Sequence, residues 1–179
     1  MATCDRPGAL CSTLGAPAFT LVELLIVVVL ISIAATMAMP LMAGTDATRL
    51  QAAARLLAAD LGFAQVESIT HAADPCVVVF DQANDSYAVA RSSAPSTAIT
   101  DPSTNQPYVT QFGSGRAAEL SGVSIQGYSL GGDNQLEFGA YGQTDQTTPA
   151  TITFEAAGLT VTVEVDPTSG EVSLLSGGM

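Results

Sequence analysis

The chain has 179 residues, enough for one domain of ordinary size plus an additional helical segment. Acidic residues number 17 against five arginines and no lysine, for a formal net charge of -12. Such a surface repels phosphate backbones, so nucleic acid is not an expected partner.

The apolar residues are concentrated near the front. Residues 19–42 form a run of 24 with one charge, Glu23. As a helix at about 1.5 Å per residue the run reaches about 36 Å, enough to cross a bilayer core of about 30 Å. A secretory signal would place small residues after its apolar core. Here Gly15-Ala16-Pro17-Ala18 come before it, so the run is expected to stay on the mature protein. A charge inside a membrane helix costs roughly 2.5 to 3.5 kcal/mol on insertion scales, which asks for a partner for Glu23. Pro40 lacks an N–H and crowds the preceding turn, so a kink or local melting is expected there, with Gly44 adding flexibility.

A second helical stretch is predicted over 46–70, capped at its start by Thr45 or Asp46. Leu50, Ala54, Leu57, Leu61, Ala64 and Ile69 recur near the 3.6 period and make one apolar face for packing on a sheet. Arg49, Arg55, Asp60 and Glu67 fall mostly elsewhere and are expected to be solvated.

The string Ala18-Phe19-Thr20-Leu21-Val22-Glu23, the apolar run and Pro40 together resemble the processing motif of type IV pilins and type II secretion pseudopilins. The resemblance implies a leader of residues 1–18, a transmembrane helix and assembly stalk over 19–42, and a pilin-like head over 43–179. It implies cleavage by a prepilin peptidase between Ala18 and Phe19, and methylation of the new amino terminus at Phe19. It implies pairing of the Glu23 carboxylate with the amino terminus of a neighbouring subunit, and a helix kink at Pro40. The freed amine is a cation at neutral pH, and joining it to Glu23 relieves the cost of both charges in lipid. Ala18 stands where the family usually has glycine. The implied partners are other pilins or pseudopilins, an inner-membrane platform protein, an assembly ATPase and membrane lipid. The implied location is the bacterial inner membrane, single-pass, with the head in the periplasm or on the outer face. With Cys4 and Cys11 in the leader, Cys76 stands alone and cannot form an internal disulfide; a buried, small apolar role is expected for it.

After Asp74-Pro75 the period changes to two. Strands are predicted over 76–80 and 86–91 around a turn at 81–85, then an exposed loop over 92–107. One or two strands follow within 120–130, another over 134–138, and a loop over 139–149. The chain then reads as strands at 151–154, 159–165 and 171–175, the last two joined across Asp166-Pro167-Thr168-Ser169-Gly170. The fold class is α+β, a long helix packed on a mostly antiparallel sheet or small sandwich. Leu136-Glu137-Phe138, Gly142, Ile152-Thr153-Phe154 and Thr168-Ser169-Gly170-Glu171-Val172 resemble the GspH/FimT-type minor pseudopilins, with Glu171 where that group usually has arginine.

No chemistry-bearing constellation stands out. His71 is the sole histidine and sits at the predicted helix end, where a cation suits the dipole. Asp81, Asp85 and Asp133 lack EF-hand spacing. No catalytic residue, metal or cofactor is expected. The resemblance implies a structural minor pseudopilin of a type II secretion pseudopilus or type IV pilus that supports protein secretion. The alternatives are a FimT-like role in DNA uptake and an unprocessed single-span membrane protein.

Overall fold

The computed structural model describes residues 20–176, with the side chains at 34–44 and 176 outside the described set. The chain divides into two units, Met1–Met39 and Pro40–Met179. Helix α1 spans Leu21–Thr70. Two helical stretches separated near Pro40 are expected from sequence, yet one helix runs through that position. A proline removes one backbone donor and crowds one carbonyl, which bends a helix without having to end it.

In the second unit, β1 (Cys76–Asp81) and β2 (Ser86–Arg91) form an antiparallel hairpin in regular register from Cys76–Arg91 to Asp81–Ser86. A 3-10 turn at Gln82–Asn84 joins them, capped by the Asp81 carboxylate. Strands β3 (Ala94–Ala98) and β4 (Val109–Gln111) both pair with β2, and β6 (Gln135–Glu137) pairs with β1 on the far side. The segment expected as a loop over 92–107 thus contributes a strand. Backbone pairing with β2 overrides its Ser, Thr and Pro content, which signals exposure rather than loss of extended geometry. A second sheet runs β5-β7-β8-β9, from β5 (Ser124–Ser129), β7 (Ala150–Ala156), β8 (Leu159–Val165) and β9 (Val172–Ser176). Every strand pair in both sheets is antiparallel, so the α+β expectation holds and the arrangement is consistent with a pilin-like fold.

One apolar core joins the helix to both sheets. Leu50, Ala54, Leu57, Leu61 and Ala64 are buried against Val78, Phe80 and Val89 of the first sheet and Ile152, Phe154 and Val163 of the second. The alternation along β7 and β8 puts one face inward and leaves threonines and glutamates on the other. Three helix positions depart from the expected pattern: Ile69 and Asp60 in burial, and Glu67, which is half-buried in an ion pair with Arg91. Ile69 is 48% exposed, and Asp60, expected in solvent, is 2% exposed. Cys76 is buried as expected.

Candidate assembly site

In the first unit the described segment begins at Thr20. Thr20 Oγ1 accepts a hydrogen bond from the Glu23 N–H at 3.2 Å, and the Thr20 carbonyl accepts from Glu23 and Leu24 at 3.1 and 3.2 Å. Thr20-x-x-Glu23 has the spacing of a helix capping box, in which a threonine side chain satisfies a first-turn donor. A carboxylate in that first turn also complements the helix dipole. Glu23 therefore has a local helix-starting role that pattern reading for the membrane motif passed over. Its side chain is exposed, and no cation among the described residues lies within ion-pair distance of it.

From Leu21 onward, the described side chains up to Ile33 form an exposed, almost wholly apolar surface, from Leu21 at 84% to Val27 at 44%. Ser32 hides its hydroxyl by donating to the Val28 carbonyl at 2.7 Å, which leaves the surface without a free polar group at that point. Among the described residues no helix is long and apolar enough to cross a membrane. The described apolar side chains cover 21–33 of the span expected over 19–42. Ala18 and Phe19 lie outside the described residues, as does the Pro40 side chain.

The second unit is organised around side chains of α1 that no local pattern marks. Asp60 accepts from the Tyr87 hydroxyl at 2.7 Å, the Tyr108 hydroxyl at 2.9 Å, Thr110 Oγ1 at 3.3 Å and Arg116 Nη2 at 2.9 Å. The Arg116 guanidinium also lies 4.8 Å above the Tyr108 ring, which stacks on Phe63. A buried carboxylate with this many donors is satisfied, and it ties the helix to β2, β4 and the segment after β4. Burial first, and then the Asp60 charge, pushes the Tyr87 hydroxyl well above its ordinary pKa. Every donor to Asp60 is thus a neutral hydroxyl or a cation at neutral pH, as a structural lock requires.

Two further contacts fix the far end of the helix. Gln65 Nε2 donates to the carbonyls of Gly142 at 2.8 Å and Ser169 at 2.9 Å, joining the loop after β6 to the β8–β9 turn. Glu67, expected in solvent, instead pairs with Arg91, whose guanidinium also donates to the Asp74 carbonyl at 3.2 Å. His71 is exposed and contacts Glu67 at 3.1 Å. Asp85 accepts from the Ile125 N–H of β5 at 2.8 Å, tying the β1–β2 turn to the second sheet, and Asp133 accepts from the Gln135 N–H at 3.0 Å within its own loop.

The model of the prokaryotic N-terminal methylation motif matches residues 17–39. That match supports a prepilin-like protein, resembling type IV pilins and pseudopilins, a structural rather than an enzymatic group. No curated protein and no solved structure matches the chain.

Proposed function

We propose that this chain is a structural minor pseudopilin of GspH/FimT type, a subunit of a type II secretion pseudopilus or type IV pilus that supports protein secretion. The observation that carries the reading is the methylation motif over 17–39, whose described side chains from Leu21 to Ile33 lie on an exposed apolar helix with Glu23 in its first turn. On this reading prepilin peptidase cuts between Ala18 and Phe19, Phe19 is methylated, and the helix anchors the subunit in the inner membrane with the head outside the cytoplasm. Glu23 then pairs with the cationic amino terminus of an adjoining subunit, because each charge is costly alone in lipid. Pro40 bends the stalk where it leaves the membrane. A platform membrane protein and an assembly ATPase supply support and energy, so the chain itself needs only to pack and pair.

Intact mass and amino-terminal sequencing of the native protein test this reading. The expected product begins at Phe19 and carries one methyl group; a product that still begins at Met1 would overturn the proposal. The DNA-uptake alternative finds little support in the charge pattern. Among the described residues, Arg49, Arg91 and Arg116 are each engaged by a carboxylate, leaving Arg55 to meet a phosphate.

A further inference from the structure

An open sheet edge presents a row of unbonded N–H and C=O groups and invites another strand, so proteins protect such edges. This head protects three of its sheet edges by identifiable means. Strand β3 carries Pro95, which has no N–H, and its register with β2 is irregular between Ala90 and Arg91. Strand β6 is three residues long, and its outer side is taken by Asp145, whose N–H donates to the Glu137 carbonyl at 3.0 Å. The Asp145 carboxylate in turn accepts from the Glu137 N–H at 3.1 Å. Strand β5 shifts register between Ile125 and Gly127, and side chains occupy its outer side. Asp85 accepts from the Ile125 N–H at 2.8 Å and Gln82 donates to the Gln126 carbonyl at 2.7 Å.

Strand β9 has none of these devices. Its register with β8 is regular from Val161–Ser176 to Val165–Val172. Its sequence, Val-Ser-Leu-Leu-Ser, contains no charge, proline or glycine. Leu174 and Leu175 are 41% and 47% exposed, and among the described residues nothing hydrogen-bonds to its outer edge. Beside this edge, Gln51 and Arg55 of α1 with Val161 and Leu174 line a groove of about 220 Å³. Arg55 is exposed and is the one arginine among the described residues without a carboxylate partner.

The geometry points to β9 as a strand-addition site that takes an extended segment of a neighbouring subunit, with an acidic side chain of that segment directed at Arg55. Main-chain hydrogen bonds to β9 supply the attachment, and the groove beside Leu174 selects an apolar residue two positions from the acid, on the same face of the added strand. The strand chemistry identifies the occupant as extended, and the free guanidinium identifies it as acidic. This contact lies in the head and does not involve Glu23. It rests on the assembly reading only for the statement that the neighbour is a fellow subunit.

The test uses the full-length protein in detergent micelles and a capped heptapeptide of alternating valine and threonine with one central glutamate. Amide hydrogen exchange is followed with and without it. Saturating peptide is expected to slow exchange in β9 at least about tenfold, while β6 is unaffected. The central-lysine counterpart, or the Arg55→Ala protein with the glutamate peptide, is expected to bind about three- to tenfold more weakly. Leu175→Lys, which places a charge on the edge at an exposed position, should abolish the protection and leave thermal unfolding unchanged. Equal binding of a peptide carrying alternate prolines would overturn the proposal. So would indifference to both the lysine peptide and Arg55→Ala, or β9 amides already as slow in the free protein as those of β8. None of these results depends on processing at Phe19, so failure here leaves the mass and sequencing test to judge the assembly reading separately.

Discussion

Gly170 lies against the carbonyl oxygen of Gly142 so closely that there is no room for a Cβ, and the Gln65 amide closes the same space from the helix. Its φ of +68° adds a second restriction, since side-chain-bearing residues rarely adopt that conformation. Gly170→Ala should therefore cost about 1 to 3 kcal/mol by backbone strain and displacement of the Gln65 contacts. Gly158 is the control: its φ is +80°, but a Cβ there meets nothing within 4 Å. Gly158→Ala should cost about 1 kcal/mol, from conformation alone. Thermal unfolding of both variants checks the ordering, and equal losses would show that the Gly142 contact contributes nothing.

That pair illustrates what a sequence discloses and what it withholds. Strands β2 and β8 fall at the bounds predicted from period-two alternation, because burial of one face is written locally in every second residue. Gly142 and Gly170 are visible as turn residues, but their meeting is not, since Gln65 reaches across 77 and 104 residues to join their segments. Asp60 is misread for the same reason. Its donors Tyr87, Tyr108 and Arg116 lie 27, 48 and 56 residues away, so nothing near it signals burial. The Thr20-x-x-Glu23 cap was legible in principle, but a carboxylate at the head of an apolar run draws the reading toward charge pairing instead.

The lock around Asp60 predicts an unequal set of losses. Asp60→Ala leaves three hydroxyls and a guanidinium without their acceptor, and should cost about 3 to 5 kcal/mol. Tyr87→Phe removes one neutral donor from a carboxylate that keeps the others, and should cost about 1 to 2 kcal/mol. Urea unfolding followed by circular dichroism measures both. A loss below about 1 kcal/mol for Asp60→Ala would mean that the cluster is not holding the sheets to the helix.

The same cluster sets the alkaline limit of the fold. Burial, then the Asp60 charge, raises the Tyr87 hydroxyl well above its ordinary value of 10.0. Burial also raises Tyr108. The unfolded chain releases these protons first, so the associated stability is fully present below about pH 10 and is lost as pH rises toward the folded-state values. Each group contributes a decline of about 1.4 kcal/mol per pH unit within that window. Stability measured between pH 9 and 12 should therefore fall above pH 10, and less steeply in Tyr87→Phe. A profile for Tyr87→Phe that runs parallel to the parent protein would remove Tyr87 as the cause.

Glu23 has two candidate roles that a single substitution confounds, and the geometry at Thr20 separates them. Leucine at position 23 removes both the charge and any capping side chain, so a loss of incorporation would not say which mattered. Glu23→Gln keeps a residue able to complete a capping box while deleting the charge. If pairing with a neighbour's amino terminus places the subunit, Glu23→Gln should be recovered in sheared fibres or crosslinked tip complexes as poorly as Glu23→Leu. Thr20→Ala should cost about 0.5 to 2 kcal/mol of local helix stability at the first turn and leave recovery near that of the parent chain. Normal recovery of Glu23→Gln with poor recovery of Thr20→Ala would assign this carboxylate to helix initiation. The exposed apolar face from Leu21 to Ile33 would then have to direct assembly without an ion pair.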